Sequence, residues 1–201
     1  MSNPMDPMNL IISGTGGQGN ILLSRMIGRI LIAKGYKVSI GESFGAAQRG
    51  GSVYSSMRVS KHNDYGPLIP EGKAHLIMSL EPLEALRMLL LFGNPDIATI
   101  ANIQPVYPVG VLSRRLRYPD MDEINNAIRE LSKSVFFVDA TKIAMDMKAS
   151  IVANIVMLGT LVASMTLPIT REDVEREIRS SFPTSVVDLN LTALRQGMKA
   201  A

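Results

Sequence analysis

Short apolar runs recur along the chain, separated by segments whose apolar residues return every three or four positions. The runs are Leu10–Ser13, Lys37–Ile40, Ser52–Val59, Leu76–Leu80, Ala98–Asn102 and Val135–Val138. Their length and β-branched content predict strands. Between some of them the period changes to that of a helix. Ile21, Leu22, Met26, Ile27, Ile30 and Leu31 follow helical spacing, as do Ile124, Ala127, Ile128 and Leu131 within Asp122–Leu131. Glu81–Leu91 carries acids in its first turn and Pro82 at a first helical position, which marks a helix start. Strands alternating with helices predict βαβ units and a mainly parallel sheet flanked by helices, a Rossmann-like three-layer α/β fold.

The last third changes character. Ser150–Met165 is apolar nearly all round, so it is expected to be a helix buried on most sides. Thr170 and Asp173 have the spacing of a capping box with Asp in place of Glu, and Val186–Met198 suggests a final helix. These extra C-terminal helices are expected to cover one face or edge of the sheet. Their apolar surplus is also a candidate interface with another subunit. No internal repeat or linker divides residues 1–201, so a single domain is expected.

The first strand runs into Gly14-Thr15-Gly16-Gly17-Gln18-Gly19, with Asn20 opening the helix that follows. Strand, glycine turn and helix is an arrangement that holds phosphate. Glycines permit a tight turn and close approach, and the N–H groups of the first helical turn point at the anion. Alone, the pattern is equally that of a turn for close strand–helix packing. Glu42 falls at the end of the second strand, where a dinucleotide-binding protein places the acid that holds a ribose. A stand-alone Rossmann-type dinucleotide binder is therefore one reading, and a purely structural subunit is another.

A second loop joins two strands: Gly41-Glu42-Ser43-Phe44-Gly45-Ala46-Ala47-Gln48-Arg49-Gly50-Gly51-Ser52. Ser43, Gln48, Arg49 and Gly50 are its candidate ligand contacts, with Arg49 offering a planar fork for phosphate or carboxylate. The competing role for Arg49 is an ion pair with Glu42 or Asp139. Asp139, after the Val135–Val138 strand, is read first as a cap and second as a ligand or base. All three segments are expected at the carboxyl ends of the strands.

Composition narrows the chemistry. The chain has 201 residues, 46% hydrophobic and 19% charged, with a net charge of +3; this is a globular chain, not a disordered one. It has no cysteine, which excludes thiol catalysis and thiolate-held iron–sulfur clusters within it. The two histidines, His62 and His75, lack metal-site spacing, so no metal is expected. Arg114, Arg115 and Arg117 form the densest basic patch, without the aromatic interleaving of a nucleic-acid platform. Neither a secretory signal nor a membrane span is expected, and the predicted location is cytoplasmic. No Ser/His/Asp arrangement is visible, and no catalytic residue is assigned.

Three stretches together carry a resemblance: G-T-G-G-Q-G at Gly14–Gly19, E-S-F-G-A-A-Q-R-G-G-S-V at Glu42–Val53, and G-P-L-I-P-E-G-K-A at Gly66–Ala74. Glu81–Leu86 and Asn154–Gly159 add to it. The chain resembles the gamma subunit or domain of 2-oxoacid:ferredoxin oxidoreductases, nearest to the small (beta) subunit of the indolepyruvate branch. The resemblance implies a subunit inactive alone, with thiamine diphosphate and iron–sulfur clusters in a large partner subunit and ferredoxin reached through the complex. It also implies coenzyme A contacts on this chain, at Gly14, Gly16, Gly17, Gln18, Gly19, Asn20, Ser43, Gln48, Arg49 and Gly50. Pairing with a second copy of the chain is left open. Positions near Phe44 and at Ser56 carry histidine in that branch, and His75 stands for an acid, so the 2-oxoacid itself stays open.

Overall fold

The computed structural model describes residues 6–44 and 51–201. Six strands form one sheet: β1 (Met8–Thr15), β2 (Lys37–Phe44), β3 (Ser52–Ser60), β4 (Leu76–Ser79), β5 (Ala98–Asn102) and β6 (Ser134–Val138). Their order across the sheet is β2-β3-β1-β4-β5-β6. β1, β4, β5 and β6 pair in parallel. β3 runs antiparallel to both β1 and β2. The sheet is thus mostly parallel in direction, with one reversed strand placed beside β1. The cause is the length of the β2–β3 connection. Residues 45–51 are too few for a crossover, so the two strands close as a hairpin, and β3 occupies the position a βαβ rule assigns to β2.

Among the described residues, eight α-helices complete the fold: α1 (Asn20–Ala33), α2 (Pro82–Phe92), α3 (Val109–Leu112), α4 (Met121–Glu130), α5 (Ala140–Asp146), α6 (Ala153–Ser164), α7 (Arg171–Ser181) and α8 (Thr184–Lys199). Along β1 the side chains alternate between two cores, as strand geometry requires. Leu10 and Ile12 join the core under α1 and α6, while Ile11 joins the one under α2 and α4. The result is a three-layer sandwich. The sheet stays buried on both faces, which is why β1 and β4 read as unbroken apolar runs.

Most of the apolar surplus of the last third is packed internally, although Ile151 and Met165 are exposed. Every residue from Asn154 to Val162 on α6 is buried. α8 packs closely against it, and an added Cβ on Gly197 would stand 1.9 Å from the Val156 carbonyl oxygen. The surplus carried by α6 itself is therefore buried within the chain. α7 begins with the predicted capping box, both of its bonds formed between Thr170 and Asp173. No helix among the described residues is long and apolar enough to cross a membrane.

Candidate functional site

β1 carries the chain to Thr15, with Gly14 paired opposite Val53. The turn proper is Gly16–Gly19, and α1 starts at Asn20. Gly17 and Gly19 have φ of 101° and 91°, a region where a side chain is strained. The turn is braced from inside. The Thr15 N–H donates to Gln18 Oε1 at 2.7 Å. Gln18 Nε2 donates to the Leu80 carbonyl at 3.0 Å, and the Gly16 N–H donates to the Gly51 carbonyl at 3.0 Å. Gln18 and Gly14 therefore shape the turn. A Cβ on Gly14 would stand 2.6 Å from Gln18 Oε1. The N-cap residue Gly19 gives no side-chain cap, so the N–H groups of Asn20, Ile21 and Leu22 have no acceptor within the helix. That end of α1 carries partial positive charge.

Two clefts flank this turn. The first has a volume of about 380 Å³ and is lined by Thr15, Gly16, Gly17, Asn20, Ser43 and Tyr54, among others. Glu42 lies in its wall and pairs with Arg25 of α1 at 3.5 Å. The second, of about 560 Å³, lies on the opposite side, where β4, β5 and β6 end. Gln18, Asn102, Thr141, Ile151 and Asn154 line it. Gly17 and Gly19 belong to both. One residue lining each cleft, Asn20 in the first and Asn154 in the second, has a buried side-chain amide oxygen without a partner among the described residues. A buried acceptor left unpaired is costly, and a ligand donating a hydrogen bond would relieve that cost.

The expected contacts separate into groups. Gly16, Gly17, Gly19, Asn20 and Ser43 come together in the first cleft. Gln48, Arg49 and Gly50 lie outside the described residues. Asp139 is a cap, as first read: it accepts from the Lys142 N–H at 2.9 Å and from Gln104 Nε2 at 2.9 Å. Its neighbour Thr141 reaches the second cleft and accepts from Asn102 Nδ2 at 2.9 Å. Glu42 ends a strand that is separated from β1 by β3, not one lying next to β1 as the ribose-binding arrangement requires.

Sequence reasoning missed three groups. Asn154 packs its amide on Gly19, so that a Cβ there would meet Nδ2 at 2.6 Å; a single Asn opening an otherwise apolar helix was the available signal. Glu81 and Glu84 are both buried at the carboxyl end of β4. Glu84 Oε2 accepts from the Ser52 hydroxyl at 2.5 Å and its Oε1 from Arg87 at 2.5 Å, tying α2 to the start of β3. Glu81 accepts from the Tyr118 hydroxyl and from the Glu84 N–H. Burial pushes the Glu81 carboxyl pKa up, opposed by these hydrogen bonds and one from the Val106 N–H. Among the described residues, no group of three or more His, Asp or Glu is placed to hold a metal ion.

With the geometry in hand, three comparisons place the chain. Residues 9–200 match the family described as pyruvate ferredoxin/flavodoxin oxidoreductase. An indolepyruvate oxidoreductase subunit IorB of Thermococcus kodakarensis is 35% identical over 198 residues, covering 98% of this chain and 97% of that one. The fold is that of the keto/oxoacid ferredoxin oxidoreductase gamma subunit of Geobacter sulfurreducens, with a TM-score of 0.68, 22% identity, and coverage of 96% and 98% of the two chains. It also matches part of the 2-oxoglutarate:ferredoxin oxidoreductase of Magnetococcus marinus, with a TM-score of 0.74 and 20% identity. That match covers 98% of this chain and 31% of the longer one, whose structure holds 2-oxoglutarate, coenzyme A and succinyl-CoA. The chain belongs to the pyruvate ferredoxin/flavodoxin oxidoreductase family and is a small subunit of a 2-oxoacid oxidoreductase.

Proposed function

We propose that the complex acts on indolepyruvate or another aryl pyruvate, and that this chain supplies the coenzyme A side of the site. The 2-oxoacid is decarboxylated and oxidised, its acyl group passes to the thiol of coenzyme A, and the two electrons go to ferredoxin. Thiamine diphosphate and iron–sulfur clusters belong to the large partner subunit in this reading and supply the carbanion and electron-transfer chemistry. The absence of cysteine here agrees with that division.

The observation that carries the proposal is the uncapped start of α1, opening on two clefts at a turn of glycines. Free N–H groups and a helix dipole suit a diphosphate. Asn20 and Asn154, with unpaired buried acceptors, suit donor groups on the parts that extend into the clefts. Ser43, with the candidates Gln48, Arg49 and Gly50, would meet the same ligand in this reading.

The test is Gly17→Asp in the assembled complex. An Asp here carries the backbone strain of a positive φ, about 1–2 kcal/mol, but nothing lies within 4 Å of a Cβ at this position, so the fold should survive. A carboxylate there should raise the KM for coenzyme A by about tenfold or more, through repulsion of the phosphates. An unchanged KM would refute coenzyme A binding at this turn. The purified chain alone should show no 2-oxoacid oxidation, and turnover without the partner would refute its role as a dependent subunit.

A further inference from the structure

The segment between β5 and α4, residues 103–119, crosses the carboxyl end of the sheet as a strap. Its inner side is fastened. The Ile103 N–H donates to the Val138 carbonyl at 3.0 Å. Gln104 holds Asp139, and both the Val106 N–H and the Tyr118 hydroxyl donate to Glu81 Oε1. The rings of Tyr107 and Tyr118 meet edge to face, with centroids 5.1 Å apart. Pro105, Pro108 and Pro119 stiffen the backbone further.

Its outer side is apolar and basic. Val109, Leu112 and Leu116 are 78%, 68% and 65% exposed, and Val106 and Tyr107 are exposed beside them. From residue 103 to 119 there are three arginines, Arg114, Arg115 and Arg117, and no acid. None of the three forms an ion pair among the described residues. Val106, together with Ile151, which is 83% exposed, also lines the larger cleft. Clustered apolar side chains held in water by a fastened backbone mark an interaction surface. Fastening them beforehand reduces the entropy lost on binding.

We propose that this strap is the docking surface for the large partner subunit, which meets it with an apolar hollow edged by carboxylates. The proposal rests on the small-subunit reading given above. Charge selects the occupant. The three arginines, with no acid between residues 103 and 119, suit an acidic rim on a partner, and a small subunit's partner is the larger one. A membrane is disfavoured by α3, whose four residues are too few for an interfacial amphipathic helix. Position adds a functional consequence: through Val106 and Ile151, a subunit seated on the strap also walls the larger cleft at the α1 terminus.

The experiment titrates the labelled chain with the large subunit encoded in the same genome. Leu112→Asp with Leu116→Asp is one variant, and Arg114→Glu with Arg115→Glu and Arg117→Glu is another. Each should raise Kd by about thirtyfold or more, as loss of central interface contacts does. Leu90→Asp, at an exposed position of α2 outside the strap, should change Kd by less than about threefold. Circular dichroism and melting should be unaltered throughout, since all the side chains replaced face solvent. If the wild type binds and the strap variants bind equally well, the surface is wrong and the small-subunit reading stands. If the wild type does not bind the large subunit, both fall. Strap-dependent self-association, or strap-dependent binding to phosphatidylserine vesicles, with the subunit Kd unchanged in the variants, would also overturn the proposal.

Discussion

Replacing Gly17 and Gly19 by alanine, singly and with Asn154→Ala, tests how the turn at the start of α1 is held. Both glycines have positive φ, so any side chain costs about 1–2 kcal/mol for backbone conformation alone. At Gly17 nothing lies within 4 Å of the new methyl, so that cost is the whole effect. At Gly19 the methyl would stand 2.6 Å from Asn154 Nδ2, nearly 1 Å inside ordinary contact. The amide end of Asn154 is the group that must yield, and its residue is buried. Driving it off its rotamer adds about 0.5–1.5 kcal/mol. Gly19→Ala should therefore cost about 1.5–3.5 kcal/mol in total, against about 1–2 for Gly17→Ala. In the double variant Gly19→Ala with Asn154→Ala the contact is gone, and the cycle should return a coupling of about 1 kcal/mol. Urea denaturation of the wild type, the three single variants and the double variant measures all of these terms. Equal losses at the two glycines, or additivity between Gly19 and Asn154, would refute the view that α6 packs down on the turn.

Other consequences can be checked more briefly. Gly197→Ala sets a methyl against the Val156 carbonyl at 1.9 Å, where both atoms belong to helix backbones; it should cost about 2–4 kcal/mol in denaturant melts by forcing α6 and α8 apart. Glu84→Ala strands the Ser52 hydroxyl and frees Arg87, for a loss of about 1.5–3 kcal/mol in thermal unfolding, with Glu84→Gln recovering part of it. Burial lowers the His75 pKa from its usual 6.5. As pH falls through that value the unfolded chain takes up the proton first, so stability should drop on acidification. His75→Leu should flatten the slope of unfolding free energy between about pH 7 and about pH 5. It should also lower stability at the upper end, because the Asn9 N–H loses the ring nitrogen it donates to at 2.9 Å.

Much of this was legible beforehand, for identifiable reasons. The six strands are visible as short runs with β-branched content, apolar from Leu76 to Met78 in β4 and alternating with polar residues in β2 and β3. The helices α1, α2, α4, α6, α7 and α8 were visible because their apolar period or their caps survive in the sequence. α3 was not, because Val109 and Leu112 face solvent and leave no amphipathic pattern to find. α5 has only seven residues, too few to show a period, though its Asp139 cap was read. Strand order was hidden for a different reason: hydrophobicity marks a strand without saying what it pairs with. The shortness of residues 45–51 was the clue that β3 must double back. At the site, the glycine turn declared itself by spacing. The inward roles of Gln18 and Gly14 did not, since a residue type does not say which way its side chain points.

The placement of β1 in the sheet has a consequence for synthesis of the chain. β1 is translated before any strand it pairs with, yet it sits third across the finished sheet, between β3 and β4. Neither edge of Leu10–Ser13 can be covered until residues 52–60 and then 76–79 have emerged from the ribosome. At translation rates of roughly 5–20 residues per second, that leaves a strand with an apolar centre, Leu10–Ile12, waiting for several seconds with both ladders open. The nascent chain is therefore most vulnerable to aggregation early, and a chaperone that recognises short apolar segments should engage it first at β1. Slowing elongation between the codons for Ser13 and Leu76 should lower the soluble yield more than slowing it anywhere after β4.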